Sequence, residues 1–340
     1  VIDGKGKWVT PGLINSAAAL GLTEVGSLQD TNDASARGDR GVAATFKPWE
    51  AINPDSVLWA PTRNEGVTSV VEVPSGGVVS GQAAVVDTAG TTVEELLRKA
   101  PVAFVLNFGA TGGGGGGGAG GASQGPTSRA EALDAIRALL TEAKTFPSRK
   151  GAYEAGNTRA LVTGGAQLEA LQPVVSGTAL VLVNVDRAAD IRLVLGLAKE
   201  FGLKIAIAGG AEAWKVASEL AAAKVPVVTG ALDNLPADFS SLGATQENAA
   251  LLRKAGVPVI LTAGTRETFN VRKIRQHAGN AVAYGLPWAE ALRAVTLTPA
   301  EVFGVADQIG SIAEGKVANL VVWSGDPFEF TTDAEHVFVK

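Results

Sequence analysis

Hydrophobic residues along this chain form short apolar runs that alternate with amphipathic stretches. Seven of these runs contain almost no alternation of polar and apolar side chains. They predict β-strands at residues 13–17, 67–73, 102–108, 180–185, 203–208, 225–229 and 257–262. Because both faces of such strands are apolar, the pattern favours a parallel sheet that is covered by helices.

Between these runs, hydrophobic residues recur at the spacing of an α-helix. Helices are predicted over residues 128–145, 189–201, 211–223, 245–255, 270–284 and 287–296. We expect an eighth strand between residues 148 and 178, where the periodicity is unclear. With that strand, the alternation of strands and helices predicts an α/β fold, a (β/α)8 TIM barrel.

Both ends of the chain carry further strand patterns. Segments 1–9, 315–323 and 336–340 predict strands that form a small β-sandwich domain beside the barrel. The predicted domains are residues 1–10 and 312–340 for the sandwich and residues 11–311 for the barrel. The sequence contains no Met, so we expect that residue 1 is not the translation start and that the first strands of the sandwich are absent.

A glycine-rich segment follows the third predicted strand. Residues 112–118 are all glycine. The segment lacks the Lys-Ser/Thr pair of a phosphate-binding P-loop and the spacing of a dinucleotide-binding motif. Its low complexity predicts a flexible loop near residues 111–125.

Composition and charge narrow the class of protein. The 340 residues are 46% hydrophobic and 19% charged, which is typical of a globular protein with a large core. No apolar run approaches the roughly 20 residues that span a bilayer. A net charge of −5 without a basic cluster argues against a nucleic-acid partner. We therefore expect a soluble protein of the cytoplasm or periplasm that binds neither membrane nor nucleic acid.

The chain is poor in the residues that most often carry chemistry. It contains no Cys and only two His, His277 and His336. These counts exclude disulfides, thiolate nucleophiles and most sites in which Cys or His binds a metal. Neither histidine lies near the carboxyl end of a predicted strand, where barrel active sites lie. We expect both to have surface or packing roles.

Segment 1–14 (VIDGKGKWVTPGLI) and several other short segments carry a family resemblance. The other segments are residues 51–54, 66–68, 74–77, 80–82, 184–191, 278–282, 296–300 and 310–320. Together they resemble the amidohydrolase superfamily, and in particular its imidazolonepropionase-related branch, over nearly the whole chain. The resemblance implies a (β/α)8 barrel with a β-sandwich made from both termini. It also implies hydrolysis of amide or other C–N bonds with one or two ions of zinc or another divalent metal.

The resemblance also implies where metal ligands belong. A His-x-His pair after the first barrel strand corresponds to Ala17 and Ala19. Histidines after the fifth and sixth strands correspond to Asn184 and Gly210, and an Asp after the eighth strand corresponds to Gly264. A methyl group or a glycine offers no lone pair, and a neutral amide suits transition metals poorly beside imidazole. We interpret the five as vestigial metal positions and expect no metal cofactor.

Several charged or polar residues still lie near predicted strand ends. They are Glu72, Asp186, Arg187, Glu212, Thr262, Arg266 and Glu267. Asp186 and Glu212 follow adjacent strands, so they are weak candidates for a catalytic carboxylate pair. An alternative interpretation is that Arg187 and Asp190 stabilise the start of a helix. We predict Arg187, Thr262, Arg266 and Glu267 as pocket residues.

Intact scaffold segments beside missing ligands lead to one main functional hypothesis. The chain is an amidohydrolase-like protein that is catalytically silent and acts as a structural or regulatory subunit or as a ligand binder. Its expected partner is a second copy or an active amidohydrolase homologue. The alternative is an active hydrolase on the C–N bonds of cyclic amides or small peptides.

Overall fold

The β-strands of the protein form two sheets. The structure, a computed structural model, describes residues 3–109, 126–232, 235–236, 238–264 and 268–340. In chain order the strands are β1 (Trp8–Pro11), β2 (Leu13–Ala18), β3 (Val67–Glu72), β4 (Val79–Asp87), β5 (Leu97–Asn107), β6 (Leu180–Val185), β7 (Lys204–Gly209), β8 (Val227–Thr229), β9 (Val259–Leu261), β10 (Leu320–Trp323) and β11 (Ala334–Phe338). Strands β2 to β9 form an eight-stranded sheet, and β1, β10 and β11 form a three-stranded one.

Helices cover the outside of the larger sheet. They are α1 (Trp59–Asn64), α2 (Val93–Leu96), α3 (Arg129–Glu154), α4 (Gly165–Ala170), α5 (Gln172–Val175), α6 (Ala188–Phe201), α7 (Ala217–Ala222), α8 (Asn248–Lys254), α9 (Ile274–Ala283), α10 (Trp288–Ala294) and α11 (Leu297–Val302). Short 3-10 helices lie at Gln29–Thr31, Pro48–Ala51, Ala213–Val216 and Thr268–Lys273. Among the helices of the described segments, none is both long and apolar enough to cross a membrane.

The eight-stranded sheet confirms the predicted α/β barrel. Neighbouring strands follow chain order from β2 to β9, and every neighbouring pair is parallel except the two that include β4. The seven parallel strands are those that the apolar runs predict. Since parallel strands end at the same edge, their carboxyl ends meet at one mouth of the barrel.

The predicted position of the eighth strand was wrong. Between residues 148 and 178 the chain continues α3 to Glu154 and then forms α4 and α5. The eighth strand is β4, which is buried along its whole length and pairs antiparallel with both β3 and β5. Its start, Val79-Ser-Gly-Gln, resembles a turn in sequence, and only its pairing partners show it to be a strand.

Successive side chains on each strand point to opposite faces of the sheet, and this divides the core into two layers. The inner layer fills the barrel; its buried members include Ile14, Val71, Val85, Val105, Leu182, Ala206, Val228 and Ile260, with Phe303 and Ile309 among the residues packed against them. Val70 and Val86, one residue away on their strands, belong instead to the outer layer between sheet and helices. The barrel interior is therefore packed below its mouth.

A side chain joins the first and last barrel strands. Asn15 on β2 is fully buried, and its Nδ2 donates to the carbonyl oxygens of Ala263 (2.9 Å) and Val271 (3.0 Å). Its Oδ1 accepts from the hydroxyl of Thr262 (2.7 Å) and from the Ala263 N–H (3.4 Å). We call this set of contacts the Asn15 seam. It provides hydrogen-bond partners for backbone groups at the place where β2 and β9, the first and last strands of the sheet, meet.

The smaller sheet confirms that the two ends of the chain form a β layer. β10 lies between β1 and β11 and pairs antiparallel with both. Trp323 of β10 is fully buried, and its Nε1 donates to the hydroxyl of Thr10 (2.9 Å). A side chain on Gly66 would stand 2.3 Å from the Trp323 ring, so this glycine lets the sheet pack against the barrel. The domain boundaries at residues 10/11 and 311/312 stay predictions, and the predicted glycine-rich loop lies outside the described residues.

We predict that Asn15→Ala lowers the free energy of unfolding by about 3 kcal/mol, because several buried backbone groups lose their partners at once. Thr262→Val, which removes one of these hydrogen bonds, should cost about 1 kcal/mol. Urea unfolding followed by circular dichroism measures both. The matched control is Asn157→Ala on an exposed turn, and an Asn15→Ala variant as stable as this control would contradict the role of the seam.

Candidate functional site

The barrel mouth contains all five predicted metal positions, and four of them carry no polar side chain. Ala17 and Ala19 are partly buried at the end of β2. Gly210 and Gly264 both have positive φ values, 61° and 78°. A side chain on Gly264 would stand 2.6 Å from the backbone nitrogen of Val271. A side chain on Gly210 would stand 3.1 Å from the Val227 side chain, so both glycines allow close packing.

The fifth position, Asn184, belongs to a row of neutral polar groups across three strands. Its Nδ2 donates to the Oδ1 of Asn107 on β5 (2.7 Å). The Nδ2 of Asn107 in turn donates to the Gly77 carbonyl oxygen (2.7 Å) and to the Ser80 hydroxyl on β4 (2.9 Å). We call Ser80, Asn107 and Asn184 the amide row. The two asparagines are partly exposed at the mouth, and Ser80 is buried.

Asn107 and Ser80 were missed as site residues in the sequence analysis. Asn107 is the polar last residue of an otherwise apolar run, which is a signal that the sequence does contain. Ser80 could not be found in this way because β4 itself was not predicted. Ser16, on β2, is also fully buried, and its hydroxyl makes no hydrogen bond to the described residues.

The residues at the mouth do not fit a zinc ion. Within the described segments, no three His, Cys, Asp or Glu side chains are grouped so that they could hold a metal. His277 is buried in α9, and His336 lies on the exposed side of β11. Two carboxylates near the mouth, those of Asp186 and Glu212, accept hydrogen bonds from backbone N–H groups. The other donors at the mouth are amides and hydroxyls, which transition metals bind poorly. We derive no chemical step through a metal.

Glu212 lies beside Asp186, but its carboxylate is engaged with the backbone. The Oε2 accepts from the Ala188 N–H (3.1 Å), the first residue of α6. The Oε1 accepts from the Gly243 N–H (2.7 Å) and from the Lys215 ammonium (2.7 Å). Burial alone would raise the pKa of Glu212, but these three hydrogen bonds together lower it below its ordinary value. Glu212 is therefore ionised near neutral pH and binds a helix start.

Asp186 shares this loop region with Glu212. Its Oδ1 accepts from the Ala211 N–H (3.2 Å), and its backbone oxygen accepts from the Glu212 N–H (3.0 Å). A side chain on Gly209 would stand 2.5 Å from that same Oδ1. The two predicted carboxylate residues are thus adjacent: Glu212 lies in the turn that connects β7 to the following 3-10 helix, and Asp186 binds that turn.

The alternative interpretation of Arg187 and Asp190 is confirmed. Arg187 donates to the Oδ1 of Asp190 (2.6 Å), and Arg129 at the start of α3 donates to its Oδ2 (2.6 Å). Asp190 is buried in the first turn of α6, where a negative charge is stabilised by the helix dipole. Thr262, another predicted pocket residue, is buried in the Asn15 seam. Arg266 and Glu267 lie outside the described residues.

Glu72 ends β3 but does not join the mouth. It lies opposite Ala84, which belongs to the outer layer, so its side chain faces away from the barrel interior. The residue is 0% exposed, and neither carboxylate oxygen has a hydrogen bond of normal geometry to the residues that the structure describes. Burial raises the pKa of Glu72 well above its usual range. The Leu20 backbone lowers this pKa, but by a smaller amount.

Comparison with known proteins gives consistent matches. The sequence model of the amidohydrolase family matches residues 188–340. The crystal structure of an amidohydrolase from Thermotoga maritima MSB8 is 29% identical, with a TM-score of 0.85 over 99% of this chain and 87% of that chain. A prolidase complexed with N-methylphosphonate-L-proline is 16% identical, with a TM-score of 0.52 over 97% of this chain and 83% of its own. The second likeness concerns the fold alone.

A shorter match is found among curated proteins. The amidohydrolase tasK of Hapsidospora irregularis is 38% identical over 58 residues, which are 17% of this chain. The matched segment spans only 6% of the length of that protein. It extends the likeness to a further amidohydrolase, and it says nothing about the rest of that protein.

We predict that Glu72→Gln changes how stability depends on pH. Since the folded-state pKa of Glu72 is raised, the native protein loses stability as pH rises from the unfolded-state value of about 4.3 towards the folded-state value. Glutamine cannot ionise, so the stability of Glu72→Gln relative to wild type should increase over that range. Urea unfolding at several pH values measures this difference, and Glu94→Gln on the exposed face of α2 is the control. A difference that is constant with pH would refute the prediction.

We predict that Glu212→Ala lowers the free energy of unfolding by about 2 to 3 kcal/mol near neutral pH, since the start of α6 and the Gly243 loop lose an acceptor. The lowered pKa of Glu212 means that its contribution is complete above about pH 4.3 and is lost as pH falls through the folded-state value. The difference in free energy of unfolding between wild type and Glu212→Ala should therefore become smaller at acid pH. Thermal unfolding against Glu314→Ala, an exposed glutamate, measures it; equal stability of the two variants would be the contrary result.

Proposed function

We propose that this chain, whose residues 188–340 match the sequence model of the amidohydrolase family, is a catalytically silent member of the amidohydrolase superfamily that binds a small uncharged ligand at its barrel mouth. The observation that carries the proposal is the amide row. At the position where the resemblance implies a metal-binding histidine, Asn184 instead donates to Asn107. The barrel has the fold that the resemblance implies, but the side chain at this position is the amide of Asn184.

The chemistry of the mouth supports a neutral ligand. A primary amide carries both a donor and an acceptor, so the amide row is suited to carbonyl, amide and hydroxyl groups. The charged side chains nearby are engaged elsewhere: Glu212 binds the start of α6, and Asp190 binds Arg129 and Arg187. A ligand with a full charge would find no unpaired opposite charge in the amide row itself.

A binder without catalysis suits a structural or regulatory role. We propose that the chain acts as a subunit, either with a second copy of itself or with an active amidohydrolase homologue. In a pair with an active homologue, binding of the ligand at the mouth of this barrel would change the activity of the partner. Its membership of the imidazolonepropionase-related branch rests on the sequence segments described above and is likewise a proposal.

The second candidate function is an active hydrolase on C–N bonds of cyclic amides or small peptides. The observation in its favour is that Asp186 and Glu212 are adjacent at the mouth. Against it, the Glu212 carboxylate already accepts three hydrogen bonds, and its lowered pKa makes it a poor general acid.

We predict that the purified protein holds zinc far below one ion per chain after dialysis, and that it does not hydrolyse hydantoin or glycyl-proline. Elemental analysis measures the metal, and release of the ring-opened product or of free proline measures turnover. Stoichiometric, tightly bound metal would overturn the proposal. Turnover that disappears in Asp186→Ala would establish the second candidate instead.

Ligand binding is tested separately with a matched pair of probes. N-acetylglycinamide is neutral, and N-acetylglycine is its acid. We expect the neutral amide to raise the melting temperature more than the acid does, and Asn184→Leu to abolish the effect. Asn157→Leu on an exposed turn is the control. Equal responses to the two probes in wild type and Asn184→Leu would contradict binding at the amide row.

A further inference from the structure

A second cavity lies at the opposite end of the barrel from the amide row. Its volume is about 280 Å³. Among its lining residues, Lys99 lies near the start of β5, and Leu180 and Lys204 are the first residues of β6 and β7. Because these strands are parallel, their starts face away from the mouth that their ends form. The cavity is therefore separate from the candidate functional site.

The cavity carries positive charge in a chain whose net charge is negative. Its two lysines, Lys99 and Lys204, form no ion pair within the described residues. The Lys99 ammonium instead donates to the Gly304 carbonyl oxygen (2.6 Å). The one carboxylate of the lining, Glu301, is paired with Arg293 (2.9 Å) and so does not neutralise the lysines. Neither lysine is therefore paired with a carboxylate of the described residues, and the Lys99 ammonium has one backbone partner.

The base of the cavity is apolar and firmly positioned. Leu180 and Phe303 are buried members of the inner barrel layer. Thr178 adds a polar group at the wall, where its hydroxyl donates to the Pro173 carbonyl oxygen (3.1 Å). A cavity of this size is smaller than the roughly 300–1,000 Å³ that drug-sized ligands occupy. It fits a phosphate ion or a carboxylate on a short carbon chain.

We propose that this cavity is a binding site for a small oxyanion, a phosphate or carboxylate group, which Lys99 and Lys204 bind through their ammonium groups. Lysine acts as a flexible point charge and does not demand the planar geometry that arginine imposes. The apolar base accommodates the short body of a small organic anion. This site is independent of the proposed function, because no residue of the amide row lines it.

The direct test is isothermal titration of the purified chain with inorganic phosphate and, separately, with succinate. Succinamide, the neutral diamide of similar size, is the ligand control. We expect one or both anions to bind with one site per chain, and we expect succinamide not to bind. Binding of phosphate alone identifies a phosphate group as the ligand, and binding of succinate alone identifies a carboxylate. Binding of neither anion overturns the proposal.

Variants assign the binding to this cavity. Lys204 has an exposed side chain with no described partner, so Lys204→Gln should fold normally and weaken anion binding roughly tenfold. Lys99→Gln should weaken it similarly, with circular dichroism as the check on folding. Lys199→Gln on the exposed face of α6 is the matched loss of one positive charge elsewhere. An affinity that falls equally in Lys199→Gln and Lys204→Gln, or in neither, overturns the assignment.

Discussion

The Asn15 seam is the contact on which the arrangement of the barrel depends. In the described residues, β2 and β9 end the strand order of the eight-stranded sheet and are not paired by a backbone ladder. The Asn15 amide bonds backbone groups of Ala263 and Val271 and the Thr262 hydroxyl in their place. A single side chain can do this because an amide has donors and acceptors on one rigid plane. The amide therefore adds side-chain hydrogen bonds where the first and last strands of the sheet meet.

Closure at this seam brings the strand ends together and so creates the mouth. The positions that the resemblance assigns to metal ligands, Ala17, Ala19, Asn184, Gly210 and Gly264, lie in the last two residues of barrel strands or just after those strands. In the structure the two glycines of this set are closely packed, and Asn184 donates a hydrogen bond to Asn107. The carboxylates near the mouth stabilise helix starts and turns, so their charges contribute to the stability of the fold.

Much of the fold was predictable because the seven parallel strands are apolar on both faces. Such runs are visible without knowledge of their neighbours. β4 was not predictable in this way, since its first residues, Ser80-Gly81-Gln82, are polar or lack a side chain. They are buried because the segment around Phe46 covers them: the Gln82 N–H donates to the Phe46 carbonyl oxygen (3.0 Å). A strand that is stabilised mainly by distant partners leaves little local signal.

Residue type and periodicity, which are local properties, predicted the barrel class and the β layer from the two chain ends. The family resemblance implied the ligand positions, and the sequence has neither histidine nor carboxylate there. Tertiary contacts were needed to show that Asn184 and Asn107 form one polar row, that Glu212 binds the start of α6, and that Glu72 faces away from the mouth. Those facts depend on which strands are neighbours and on which face each side chain lies, and pairing between distant segments sets both.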